Sequence, residues 1–232
     1  MPAEPGQPTV NPVSCSALDV GCPAGFEDRL LDKEHVLDAA TTIADAFAGQ
    51  EPMTGHLGIT HGEWLEFARR FCEKAVHEGL SHVTVDITTG KVACVCVSED
   101  ALAEQPDLSD LSEKWSVVLE YLEQLGTGWD FEGAKPGKLF HIFLIATSPA
   151  YRKRGLGRAL FAANARHGRS RGFDTAIVEA TGLFSQRIAE SLGFRTDTEI
   201  RYKDFVTASG EAAYADYTMQ HPSAKGMSLS LM

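Results

Sequence analysis

The stretch TSPAYRKRGLGRAL (147–160) sets three cations, Arg152, Lys153 and Arg154, directly before Gly155 and Gly157, with Arg158 next. Like charges repel and glycines weaken a helix, so this is a poor way to start a helix for stability alone. It is a good way to hold an anion. The first amides of a helix lack internal partners and point outward with the positive end of the dipole. Glycines remove the Cβ atoms that would keep an anion off the backbone, and arginines add fork-shaped donors. The pattern predicts a phosphate site, most naturally for a pyrophosphate. It is neither a Walker loop, which needs G-x-x-x-x-G-K-[ST], nor the dinucleotide fingerprint, whose third glycine position is Leu160 here.

A second residue with chemistry is His141, a polar ring inside the apolar run KLFHIFLIAT (138–147). It reads either as a general base or as a buried histidine satisfied by its neighbours. No Cys/His set has zinc spacing, so no metal is expected. Cys94 and Cys96 alternate in KVACVCVS and share one strand face, as core thiols do. With five cysteines in the chain, an odd count, a reducing, cytoplasmic setting is expected.

The net charge of −11 argues against a nucleic-acid partner. Yet Tyr151 to Phe173 carries seven Lys or Arg and no acid. A basic island in an acidic chain suits an anionic ligand there and a cationic one elsewhere. No apolar run is long enough to span a membrane, and the N-terminus has neither the basic nor the apolar region of a secretory signal. Residues 1–25 read as a loose N-terminal tail, 26–221 as one domain and 222–232 as a C-terminal tail.

Elements must position these groups. FEDRLLD (26–32) predicts a strand, and Asp32 a cap for a helix carrying Val36, Leu37, Ala40, Ile43, Ala44 and Phe47 on one face. Thr60 and Glu63 have capping-box spacing before a second helix. SHVTVDI and KVACVCV around TTG predict a hairpin. A helix is expected from Leu111 to about Leu125, then a loop, then the central strand 138–147. The glycine-rich turn opens the next helix. DTAIVEAT is another buried strand, Leu183 to Leu192 a short helix, and FRTDTEIRYKDF and AYADYTMQ two last strands. The order is that of an α/β domain with a mixed central β-sheet flanked by helices.

Arg152, Gly155 and Gly157 spell R-x-x-G-x-G, and LGF (192–194) closes the later helix. In this strand–loop–helix setting the chain resembles the GNAT superfamily of N-acetyltransferases, specifically over 139–194 and in element order over about 31–220. The resemblance implies that Arg152, Lys153, Arg154, Gly155, Leu156, Gly157 and Arg158 grip the pyrophosphate of acetyl-CoA. It implies that the backbone of Ile145, Ala146 and Thr147 pairs with the pantetheine arm like an added strand.

Acetyl transfer needs a neutral amine, a polarised thioester and a proton for the leaving thiolate. Many relatives supply the last from a Tyr before LGF, but that position is Ala189 here. FAGQEPMT (47–54) resembles the F-x-x-x-E-P segment of insect-type arylalkylamine N-acetyltransferases, including those acting on dopamine. That group implies Glu51 as general base and Thr181 and Ser185, four apart in ATGLFSQR, as assisting hydroxyls, though Thr181 stands where Ser is more usual. Vertebrate serotonin N-acetyltransferases carry two histidines on the central strand. His141 aligns with the first, and Phe143 replaces the second. The expected function is N-acetylation of a small primary amine, an arylalkylamine or polyamine. A protein or peptide amine, or a CoA-binding regulatory module, are the alternatives.

Overall fold

Three of the helices are entered through side-chain caps. In the computed structural model, which describes residues 15–129, 133–218 and 220–232, Asp32 accepts from the amides of Glu34 and His35 at the turn leading into α1 (Val36–Phe47). Glu51 caps the short α2 (Pro52–His56). The predicted box of Thr60 and Glu63 opens α3 (His61–Glu78), which stops at Gly79 in a left-handed conformation. Then come α4 (Lys114–Gly126), α5 (Leu156–Ser170) and α6 (Leu183–Ser191).

The strands are β1 (Phe26–Leu30), β2 (His82–Asp86), β3 (Val92–Asp100), β4 (Leu139–Thr147), β5 (Thr175–Ala180), β6 (Arg195–Arg201) and β7 (Ser223–Ser230). They form one sheet in the order β1-β2-β3-β4-β5-β7-β6. Every neighbouring pair is antiparallel except β4 and β5. One core lies between the sheet and α1, α3 and α4, and a second between the sheet and α5 and α6.

The sheet is opened at one place. Val97 faces Leu144 and the next residue, Ser98, faces Ile142, so Phe143 is an extra residue in β4. A bulge bends its strand and reverses the facing of the side chains beyond it. Accordingly Phe140 and Ile142 pack in the α5 core, whereas Leu144 and Ala146 pack in the α1–α3 core. β4 pairs with β5 only over Leu139–His141 against Thr175–Ile177. Beyond the bulge the β5-facing edge of β4 is unpaired.

Three sequence expectations are corrected. AYADYTMQ is not a strand: through residue 218 it forms turns that bury Tyr214 and Tyr217, and Met219 lies outside the described residues. The presumed tail 222–232 contains β7, inserted between β5 and β6. Its small residues concealed it. A Cβ on Gly226 would stand 2.8 Å from the Leu125 carbonyl, so α4 packs on β7 only because that position is bare. The described part of the presumed N-terminal tail is also packed. A turn of 3₁₀ helix covers Cys15–Leu18, Leu18 is buried, and the Arg166 guanidinium donates to the carbonyls of Leu18 and Val20. Residues 1–14 lie outside the described residues. Cys94 and Cys96 are buried in the α5 core as expected, and Cys22 is a free thiol.

Candidate active site

The loop between β4 and α5 is built to present its backbone. A 3₁₀ turn at Pro149–Tyr151 ends β4, and Lys153 and Gly155 then take positive φ, +63° and +79°. A lysine in that region is strained, and such strain persists where the surroundings impose it. A Cβ on Gly155 would meet only open space, so its backbone angle, not crowding, calls for glycine. At Gly157 crowding decides: a Cβ would lie 3.3 Å from Thr147 Oγ1 and 3.7 Å from Ile188 Cδ1. Arg154 stacks over Tyr151 and Phe26, with its guanidinium carbon 5.3 and 5.9 Å from the ring centres. Arg158 Nε donates to Ser191 Oγ at 3.1 Å, and Arg152 reaches the Ala46 carbonyl at 3.5 Å.

This loop borders a cleft of about 910 Å³ that runs through the gap between β4 and β5. Residues 145–147 and 152–158, together with Glu51, Thr181 and Ser185, all line it. The far wall is aromatic, with Phe47, Trp64, Phe67, Trp115 and Phe143, and Phe184 stands exposed at the rim.

Glu51 is 9% exposed, although it caps a helix of only five residues. Its Oε2 accepts from Thr54 N at 2.8 Å and from Thr54 Oγ1 at 2.7 Å. Its Oε1 is buried with no partner among the described residues. Ser185 is partly committed: its hydroxyl donates to the Gly182 carbonyl at 2.9 Å, in the first turn of α6. The carbonyl of Thr181 accepts from the Tyr202 hydroxyl at 2.5 Å.

His141 stands apart from these groups. It faces a second cavity of about 760 Å³, and its ring is held between Glu99 (Nδ1–Oε1 2.9 Å) and Glu179 (Nε2–Oε2 2.7 Å). Glu99 also takes Lys74, at 2.5 Å. Burial opposes a charge on the ring, but Glu179 and Glu99 outweigh it and raise the pKa to about 10. With both ring nitrogens donating to carboxylates, His141 is an imidazolium without a lone pair. The base reading of this residue therefore has no free atom to act through, and the plainer reading, a satisfied buried histidine, describes the geometry.

The cleft also contains a residue the sequence did not mark. His221 is 5% exposed, and its Nδ1 accepts from Leu183 N at 3.0 Å. That fixes the proton of the neutral ring on Nε2. Burial lowers its pKa, against the pull of Glu51, so the ring is neutral at pH 7. Burial and Glu51 together raise the pKa of Tyr217 to about 12, and they raise those of Tyr202 and Tyr214 as well. Glu51 is therefore near enough to Tyr202, Tyr214, Tyr217 and His221 to act on them electrostatically. No local pattern marks them: SAKGMSLS, the strand that follows His221, has few large apolar residues.

Residues 117–194 match the family described as Acetyltransferase (GNAT). No curated protein sequence matches the chain. Among solved structures, the C-terminal condensation domain of Ebony, in complex with beta-alanyl-dopamine, is 18% identical. Its TM-score is 0.79, over 88% of this chain and 98% of that one. Arylalkylamine N-acetyltransferase 2 from Aedes aegypti is 20% identical, with a TM-score of 0.74 over 89% and 99% of the two chains. A polyamine N-acetyltransferase of Drosophila melanogaster, which forms N-acetylagmatine, is 21% identical. Its TM-score is 0.69, over 88% and 99%. The glycine loop, the opened sheet and the matched segment agree: residues 117–194 match the GNAT acetyltransferase family, and the chain shares its fold with the insect arylalkylamine N-acetyltransferases.

Proposed function

We propose that this protein transfers an acetyl group from acetyl-CoA to a small primary amine of the arylalkylamine or polyamine type, by direct attack of the amine on the thioester. The observation that carries the reading is Glu51, a buried carboxylate with one oxygen unpartnered among the described residues, lining the same cleft as the glycine loop. The cleft fits the cosubstrate. The turn at 152–158 offers helix amides, two left-handed residues and four cations to a pyrophosphate. The unpaired edge of β4 at Ile145–Thr147 offers backbone groups to the amides of a pantetheine arm. When bound, acetyl-CoA supplies the activated acyl carbon and a thiolate leaving group.

Glu51 acts on the acceptor. An alkylammonium has no lone pair, so it must lose a proton before its nitrogen can attack. Oε1 takes that proton, directly or through one water. As the new C–N bond forms and the C–S bond breaks, the nitrogen sheds a second proton, and the sulfur takes one up. One proton is thus released per turnover. Thr181, Ser185 and the Nε2–H of His221 are the cleft donors placed to serve the sulfur or to order the water. The aromatic wall supports an aryl group on the acceptor, which leads us to rank arylalkylamines ahead of polyamines. The fold's likeness to enzymes named for both classes is consistent with either.

The test is thiol release from acetyl-CoA with tyramine, dopamine, agmatine, putrescine and an N-terminal peptide. Turnover should be fastest with the aryl amines. Release with the peptide alone would replace the acceptor class. CoA binding without release for any amine would make the protein a binding module.

A further inference from the structure

Glu51 does not stand alone in its corner. The Trp64 indole donates from Nε1 to Thr54 Oγ1 at 3.1 Å, and Thr54 Oγ1 donates in turn to Glu51 Oε2 at 2.7 Å. The direction of this chain is set by chemistry. An indole N–H can only donate, so it occupies the accepting side of the threonine hydroxyl. The hydroxyl proton is then left to point at the carboxylate. Thr54 is 1% exposed and Trp64 3%, so water does not compete for either. Trp64 is itself wedged edge-on between Phe47 and Trp115, each with ring centres 5.0 Å away.

The consequence falls on Glu51. Its Oε2 is saturated by two donors from one residue, the Thr54 amide and the Thr54 hydroxyl. A proton arriving from the acceptor cannot settle there without expelling one of them. Oε1, buried and without a partner among the described residues, is the one oxygen that no donor already engages. We propose that Thr54, oriented by Trp64, is a positioning residue that assigns the two oxygens of Glu51 separate tasks, Oε2 for anchorage and Oε1 for proton uptake. This rests on the reading of Glu51 as the base. It makes Trp64 and Thr54 determinants of rate, although neither reacts.

Thr54→Val keeps the shape and the amide bond and removes the hydroxyl. Thr54→Ser keeps the hydroxyl, and Trp64→Phe removes the indole donor while keeping a ring. Steady-state kinetics with the best amine of the panel, CoA affinity by calorimetry and thermal midpoints are measured for each. Thr54→Val should lower kcat by about 10- to 100-fold, the scale of one hydrogen bond to a charged group. CoA affinity should not change. Thr54→Ser should restore most of the rate. Trp64→Phe should cost less than Thr54→Val, and nothing further when added to it, because the indole acts only through the hydroxyl.

Wild-type kcat in Thr54→Val would overturn the inference. So would equal losses in Thr54→Ser and Thr54→Val, or additive losses in the double variant. If Thr54→Val does not fold, the comparison of Thr54→Ser with Trp64→Phe still decides: a Trp64→Phe rate equal to wild type sinks the relay. Glu51→Gln separates this idea from the one beneath it. Full activity in Glu51→Gln removes the base itself, whereas an inactive Glu51→Gln beside a fully active Thr54→Val removes only the role of Thr54.

Discussion

Around His141 each charge has an opposite neighbour: Glu99 and Glu179 on its two nitrogens, and Lys74 bridging Glu99 and Glu78. Around Glu51 one oxygen is doubly matched and the other has no partner among the described residues. Glu51 and Glu99 are buried and His141 and Glu179 partly so, and sequence reasoning offered a residue of each cluster as the catalytic base. Their difference follows from what a buried charge costs. A charge taken from water must be paired or its burial destabilises the fold. The His141 ring meets that demand at both nitrogens and has no free atom left for chemistry, although Glu78 Oε2, at the far end of the cluster, is buried without a partner among the described residues. The Glu51 corner leaves it half met, and a half-met demand is what an incoming ammonium can satisfy. On the proposed reading of Glu51 as the base, the strongly shifted pKa at His141 does not mark the reacting residue.

The largest effect that would break this contrast is on stability. His141→Ala leaves Glu99 and Glu179 facing each other across an empty site, and should cost about 3–5 kcal/mol in denaturant unfolding. The folded fraction should keep its kcat. Near-normal stability combined with lost turnover would exchange the roles of the two clusters. Next is Glu51→Gln, which keeps the shape and the accepting oxygen for Thr54 but cannot take a proton. A fall in kcat/KM on the order of 10²-fold is expected, with an unchanged melting temperature and CoA affinity. Unchanged kinetics would leave Glu51 as a helix cap and nothing more.

The smallest effect sharpens the contrast through pH. The pKa of His141 is raised from 6.5 to about 10 by its carboxylates, despite burial. The stabilisation that comes with its proton is therefore complete below about 6.5 and is lost as pH rises through about 10. The stability difference between wild type and His141→Ala should be greatest near pH 6 and shrink steadily toward pH 10. Lys74, Glu78, Glu99 and Glu179 face the same cluster; Lys74 stays charged over most of that range, because Glu99 and Glu78 raise its pKa against burial. A difference that grows with pH would mean that the ring is neutral in the folded protein.

Much of the molecule was legible before its structure. The caps at Asp32 and Thr60, the hairpin of β2 and β3, the apolar run of β4 and the glycine turn are all short-range signals, each decided by residues within a few positions of one another. The proposed phosphate loop belongs to this class, since helix amides, bare glycines and cations are contiguous in the chain. What lay hidden is long-range. SAKGMSLS has too few large apolar residues to announce a buried strand, and it becomes one because β5, β6 and α4 surround it. Its insertion carries His221 into the cleft, and the turns before it bury Tyr214 and Tyr217 near Glu51.

The sequence by itself determined the glycine turn, proposed to bind a pyrophosphate, and most of the helices and strands, though not β7 or the turns of AYADYTMQ, because those properties depend on local geometry and side-chain type. It also supplied Glu51, Thr181 and Ser185 through short motifs. Only the tertiary structure decided that Glu51 has one free oxygen and His141 none. That distinction depends on Thr54 and Trp64 in one case and on Glu99 and Glu179 in the other. Glu99 and Glu179 lie about 40 residues from His141 along the chain, 42 and 38 positions. Whether a buried polar atom is satisfied depends on everything packed around it, and that packing is settled by the whole sheet and its helices together.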